Sequence, residues 1–340
     1  MRIKEACLVL LAMAALAVAL SLWLARGGPA PSVHKRFVLQ LSWRAQPEVG
    51  GYVEAGARGY YQACGLDVEL RQGGAGIDPA QLLVAGAVDA ALLPQADGII
   101  HMNAAGFPAR ALFAAMQHSA MALDVHADSP IRAIPDMVGH PIMLSASSRA
   151  SWWPFLKRRF GFADAQLRNF TGQFAPFVAD PDAVTQDMIS NGPYQLETKS
   201  HLQVRTFSLA PWGYDPYGAI LTVSQQTITR DPAAMRCLVS ASQRGWQSYL
   251  ADPGHAYGAI HAMSPEYTDG ASRYAYKVLM ENHIFSTPET DRQGLGIMSA
   301  ARWRAHYALL RDLGVAPAGL DPDSLFTNAF LPGAAPAPHS

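Results

Sequence analysis

Between residues 37 and 117 the hydrophobic pattern changes period repeatedly, and this alternation limits the fold more than any other feature. Phe37-Val38-Leu39-Gln40-Leu41 reads as a strand, and Gly51 to Ala63 as a helix closed by Gly65. Leu66-Asp67-Val68-Glu69-Leu70 alternates apolar and polar residues with period two, again a strand. Asp78-Pro79 opens a helix through Ala85; Asp89 to Leu93 is a short buried strand; Gln95 to Ala105 is a helix; Ala109 to Gln117 is a further strand. A strand–helix series of this kind predicts an α/β protein with a parallel sheet covered by helices on both faces.

A second pattern recurs along the chain. Asp78-Pro79, Asp180-Pro181, Asp231-Pro232, Asp252-Pro253, Ser264-Pro265, Thr287-Pro288 and Asp321-Pro322 each place a capping oxygen before proline. The oxygen accepts a free backbone N–H, and proline sits where no N–H is needed, so most of these pairs predict helix starts. The helix after Asp231 puts Met235, Leu238, Val239, Trp246, Tyr249 and Leu250 on one face, and a late helix does the same with Trp303, Tyr307, Leu310 and Leu313. These aromatic residues are expected in the core.

The middle third reads as a unit of its own, with strands at 120–127, 141–145, 204–209 and 218–223 and a helix opening at Ser145-Ala146-Ser147-Ser148. The economical organisation is one α/β lobe inserted into another. Residues 36–120 and 225–332 build the first lobe and 121–224 the second; the chain crosses near 118–122 and returns near 214–226. Residues 333–340 form a tail.

The chain has 340 residues, half of them hydrophobic and 16% charged, with formal net charge −1. That supplies two cores and leaves no electrostatic footprint for nucleic acid. Arg2 and Lys4 precede an apolar run from Cys7 to Leu24, followed by Arg26, so residues 1–26 read as an export signal peptide or an N-terminal membrane anchor through residues 7–24. Residues 27–35 read as a linker. The three cysteines, Cys7, Cys64 and Cys237, form no CxxC or metal-spaced cluster. Cys64 and Cys237 are compatible with one disulfide outside the cytoplasm, but two buried thiols are the preferred expectation. The eleven histidines are scattered. No catalytic motif, metal site or cofactor site is expected.

The order of short motifs carries a resemblance. Gln40-Leu41-Ser42-Trp43, Gln46-Pro47-Glu48-Val49-Gly50-Gly51-Tyr52, Gly59-Tyr60-Tyr61 and Leu83-Val84-Ala85-Gly86-Ala87-Val88-Asp89 are followed by Asn191-Gly192-Pro193-Tyr194 and Gly213-Tyr214-Asp215-Pro216-Tyr217. Ala241-Ser242-Gln243-Arg244-Gly245-Trp246, Gly294-Leu295-Gly296-Ile297-Met298 and Phe326-Thr327-Asn328-Ala329-Phe330 complete the series. Over roughly residues 36–332 this resembles the thiamine-pyrimidine-synthesis-like and alkanesulfonate-, taurine- and nitrate-binding solute-binding proteins. The resemblance implies the type II periplasmic-binding-protein fold, with two α/β lobes joined by a strand hinge. It also implies a periplasmic, non-catalytic role: capture of a small molecule for an ABC permease and ATPase. Gly192 departs from the Glu that pyrimidine-binding members often carry, and Val49 stands where an aromatic residue or His is common. Both argue against a pyrimidine. A flat heteroaromatic ligand is expected first and a small sulfonate or other anion second. A membrane-anchored sensing module and, less so, a pyrimidine-synthase-like enzyme are the alternatives.

Ligands of α/β sheets sit beyond the carboxyl ends of strands. Trp43 follows the first strand and is expected to stack on a planar ligand. Gln46 and Glu48 precede Gly50-Gly51, where backbone is expected to approach the ligand closely. Gly74 follows the second strand and Gln95 the third. In the second lobe Ser145, Ser147 and Ser148 offer hydroxyls at a helix start, with Trp152, Tyr194 and Tyr214 as further cleft candidates.

Overall fold

The computed structural model describes residues 34–74 and 76–333. The export segment expected at 1–26, most of the 27–35 linker and the tail after 333 lie outside the described residues. Among the described residues no helix is long and apolar enough to cross a membrane.

Among the described residues ten strands form two five-stranded sheets. In chain order they are β1 Lys35–Gln40, β2 Leu66–Arg71, β3 Ala90–Gln95, β4 Ala109–Met116, β5 Met121–His126, β6 Ile142–Leu144, β7 Leu167–Asn169, β8 Val184–Met188, β9 Val204–Ser208 and β10 Gly218–Ser224. The first sheet runs β2-β1-β3-β10-β4 and the second β7-β6-β8-β5-β9. The two orders are the same pattern repeated, and in each sheet one strand beside a chain crossing is inserted between others.

That insertion corrects two expectations. Neither sheet is all parallel: β10 runs antiparallel to β3 and β4, and β5 antiparallel to β8 and β9. The second lobe is also shorter than 121–224, because Gly218–Ser224 lies in the first sheet, with Leu221 opposite Leu92 on one side and Phe113 on the other. The apolar run that marks β10 is legible in the sequence; which sheet accepts it is a long-range choice.

Helix starts follow local chemistry. Asp78 accepts from the N–H groups of Ala80 and Gln81, Asp231 from Ala234, and Thr287 from Thr290, each before a proline at the first helical position. Asp180-Pro181 and Ser264-Pro265 sit in turns instead; the helix after Ser264 is capped by Thr268.

Helices cover both faces of the first sheet. On one face Gly50–Ala57 crosses Pro232–Ala251 at glycines: a Cβ on Gly51 would fall 2.2 Å from the Trp246 ring, and one on Gly245 2.2 Å from the Gly51 carbonyl oxygen. Gly50 likewise abuts Tyr249. The expectation that Gly50-Gly51 admits a ligand is therefore corrected, because helix packing takes that space. Trp246 and Trp303 are buried core residues, as their helical spacing implies.

Cys64 and Cys237 form a disulfide, against the preferred expectation of two thiols. It ties the short Gln62–Cys64 turn to the Pro232–Ala251 helix. Bridging residues 173 apart restricts the unfolded chain, a loss of entropy worth up to ~5 kcal/mol. Cys64→Ser with Cys237→Ser is therefore expected to lower unfolding free energy by roughly 3–5 kcal/mol. Urea unfolding with and without reductant checks this: reductant should shift the native protein's midpoint and leave the double variant's unchanged.

Candidate functional site

The chain passes between lobes twice, at Gln117–Ala120 and at Leu209–Tyr217, and Asp215 ties the two passages together. Its carboxylate accepts the Ser119 N–H at 2.7 Å and lies 2.7 Å from His118 Nδ1. Burial works against this charge, but His118, the Ser119 N–H and Arg302 outweigh it and hold the carboxyl below its ordinary range. Arg302 also donates to the Gln117 and Asp215 carbonyls and lies 3.9 Å over the Tyr217 ring.

A second tie lies beside it. Tyr214 packs in the core of the second lobe, and its hydroxyl donates to Asp97 at 2.6 Å and approaches Gln95 Oε1 at 3.4 Å. Asp97 opens the Asp97–Ala104 helix, where carboxylates are favoured, and also meets His306 at 2.6 Å. Burial raises the Asp97 pKa, but His306 and the Tyr214 hydroxyl more than reverse this. Tyr214, expected at the cleft, is thus fully buried and structural.

Facing the second lobe, the first lobe presents Trp43, 39% exposed after β1. Its carbonyl accepts the Gly73 N–H at 2.9 Å, and only glycine fits at 73: a Cβ would sit 2.8 Å from the Leu41 oxygen. Trp43 looks across at Gly172, where a Cβ would lie 3.8 Å from the indole Cζ2. Gly172 sits between Phe170 and Phe174, whose rings are 5.6 Å apart. Gly74 is buried, yet a Cβ there would touch nothing within 4 Å, so this wall has room at that point.

Glu48 reaches the other lobe through one of its oxygens, while Gln46 meets Tyr267 of its own lobe. Glu48 accepts from the Ser190 hydroxyl. Tyr267 hydroxyl lies 3.0 Å from Gln46 Oε1 and 2.8 Å from Asn191 Oδ1. One phenolic proton cannot serve two acceptors. Asn191 Oδ1 is already fixed by the Gln195 amide at 2.6 Å, so the consistent arrangement turns the Gln46 amide to donate to the phenol. The Glu48–Ser190 and Tyr267–Asn191 contacts join the lobes.

The remaining expected residues separate. Ser145 caps the five-residue Ala146–Ala150 helix and bonds Gln186, Ser147 and Ser148, with Ser147 left exposed. Gln95 keeps an unpartnered Nε2. Tyr194 pairs with Tyr274 of the first lobe, ring centroids 5.3 Å apart. Trp152 is 1% exposed and belongs to the second lobe's core, which corrects its expected place at the cleft. Among the described residues no His, Cys, Asp or Glu group is arranged to hold a metal ion.

Sequence reasoning missed Asp124, Asp187, Ser190, Asn191 as a cross-lobe partner, and Tyr267. A carboxylate inside an apolar strand was the available signal for Asp124, in Met121-Ala122-Leu123-Asp124-Val125; Asp187 sits among polar residues in Val184-Thr185-Gln186-Asp187-Met188 and carried none. Gly192 supplies no carboxylate, but a Cβ there would lie 1.5 Å from Asp187 Oδ2, so β8 delivers one to the same spot.

A sequence profile of the NMT1/THI5-like family matches residues 46–256. The riboflavin-binding protein RibY of Chloroflexus aurantiacus is 26% identical over 322 residues, 90% of this chain and 89% of that one. Among solved structures, the alkanesulfonate-binding protein SsuA of Xanthomonas axonopodis pv. citri, bound to MOPS, superposes with a TM-score of 0.64 at 13% identity, over 88% of this chain and 99% of the other. The desulfurization enzyme DSZB does so at 0.57 and 15% identity, over 87% and 98%.

The tie at Asp97 carries a stability prediction. Asp97→Asn leaves the buried His306 without its carboxylate and is expected to cost about 3 kcal/mol. Because the Asp97 pKa is depressed, its stabilisation is complete above the ordinary carboxylate range and is lost as pH falls through the lowered value. Acid unfolding curves should therefore be shallower for the variant below about pH 4.

Proposed function

Because the chain belongs to the NMT1/THI5-like family and has the type II periplasmic-binding-protein fold, we propose that it is an exported solute-binding protein that closes on a flat heteroaromatic molecule and delivers it to an ABC permease and ATPase. The observation that carries the reading is Trp43, an exposed indole on a backbone locked by Gly73, facing the Phe170–Phe174 loop of the opposite lobe. A planar ligand between these aromatic groups gains stacking and loses apolar surface to water. RibY, similar along most of the chain, is named for binding riboflavin, whose ring system is planar.

The Cys64–Cys237 bridge supports an oxidising compartment, in keeping with the export segment expected at 1–26. A non-catalytic role is supported by the oxidised state of both described cysteines, which leaves neither as a thiolate. The fold alone does not decide this, since DSZB shares it.

Riboflavin is the probe for the test, with its fluorescence followed on titration. The native protein is expected to bind it, and Trp43→Ala to weaken binding by roughly tenfold to a few hundredfold, at about 1.4 kcal/mol per decade. Trp43→Ala should melt close to the native temperature, whereas Trp246→Ala, cut from the core, is expected to lose about 3–5 kcal/mol of stability. Binding of MOPS in place of riboflavin would favour the sulfonate reading. A Trp43→Ala protein that unfolds, with its folded fraction binding normally, would remove the stacking role.

A further inference from the structure

Beneath the Gln46–Tyr267–Asn191 contacts the second sheet buries two carboxyl groups side by side. Asp124 lies opposite Thr185 and Asp187 opposite Ala122, so the two are diagonal neighbours on one face of the β5–β8 pair. Asp124 is fully buried and Asp187 is 7% exposed. Both Asp124 oxygens and Asp187 Oδ2 lack a hydrogen-bond partner. Glu48 of the first lobe adds a further unpartnered buried oxygen, Oε2. Three buried carboxylates with no cation among them are not sustainable as three charges.

The groups facing this cluster come from both lobes. Glu48, Tyr249, Tyr267 and Tyr274 belong to the first lobe; Ser190, Thr206 and Glu197 belong to the second. His126, two residues along the same face of β5, has its Nε2 2.9 Å from the Phe177 carbonyl oxygen; the others are neutral or acidic. Swinging the lobes apart withdraws Glu48, Tyr267 and Tyr274 from β5 and β8 and lets water reach the carboxyls.

We propose that closure of the two lobes traps a proton on the Asp124–Asp187 pair, so that the closed form is favoured by acid and released as the surroundings turn alkaline. The pair then acts as a proton-linked latch on the solute cleft, and the proposal rests on the two-lobe binding role given above. A shared proton also pairs two of the three orphaned oxygens, since the protonated carboxyl donates to its neighbour. Burial pushes Asp124 up to about 6, and burial together with the neighbouring Asp124 charge pushes Asp187 well above its ordinary value. The sign follows: with pKa values raised in the closed form, its advantage is complete below the ordinary carboxylate range and fades as pH rises through about 6 and beyond.

The test needs no ligand. Spin labels on Val84→Cys in the first lobe and Val138→Cys in the second, sites 48% and 42% exposed, report the interlobe distance by pulsed electron resonance, with Cys64–Cys237 intact. The short-distance population of the ligand-free protein is expected to dominate at pH 5 and to fall by up to about tenfold per pH unit above the closed-state pKa. Asp187→Asn, which is neutral at every pH, should hold the short distance to pH 8. Asp124→Asn serves as the second variant should the first fail to fold. The proposal is overturned if the native distances are the same at pH 5 and pH 8, or if both variants open with pH as the native protein does. Distances that respond to riboflavin but not to pH would sink the latch and leave the binding role standing. Distances that respond to neither would sink both.

Discussion

The molecule depends on one carboxylate reaching two strands of chain at once. Asp215, on the passage back to the first lobe, binds the backbone and side chain of the outward passage at Ser119 and His118. The two passages are thereby tied to each other at the place where the chain crosses between lobes. Tyr214, one residue earlier, extends the same tie by carrying its hydroxyl from the second lobe's core to Asp97 of the first, which in turn meets His306. The Glu48–Ser190 contact lies close by, since Ser190 follows Ile189, whose N–H bonds the Ala120 carbonyl of the outward passage.

Where Glu48 and Tyr267 lie, the lobes meet through apolar and polar groups together: Ala122 and Ile189 of the second lobe join the core of the first, and hydrogen bonds lie beside them. Glu48 with Ser190 and Tyr267 with Asn191 are single hydrogen bonds, each worth about 1 kcal/mol net. Contacts of that size can hold a closed form and still yield. The buried carboxyls beneath them are the opposite case: leaving charge unpaired there costs far more than a hydrogen bond returns. The balance between these two kinds of interaction sets how readily the cleft opens.

Part of this was legible in the sequence and part was not, and individual residues show where the line falls. Asp78, Asp231 and Thr287 announce their helices because capping is settled within four residues. Trp246 and Trp303 announce their burial through helical spacing. Trp152 does not: it sits at the first turn of a segment read as a cleft wall, and only the packing of the second lobe buries it. Gly50 and Gly51 carry the signature of close backbone approach, but the sequence does not say to what; the structure answers Tyr249 and Trp246, some two hundred residues on. Glu48 meets the other lobe and Gln46 a distant segment of its own, and neither partner, Ser190 or Tyr267, carries a sequence signal of its own.

The sequence by itself determined the element series, the helix caps, the helical core faces and, through an ordered set of motifs, the two-lobed α/β architecture. All of these rest on local periodicity or on residues close in the chain. The tertiary structure decided that β10 belongs to the first sheet, that Cys64 pairs with Cys237, that Tyr214 is a hinge tie, and that Asp124 and Asp187 stand side by side. Each of these joins groups dozens to hundreds of residues apart. The free energy of such a pairing depends on which surfaces folding brings together and how completely it excludes water, and no local pattern encodes that.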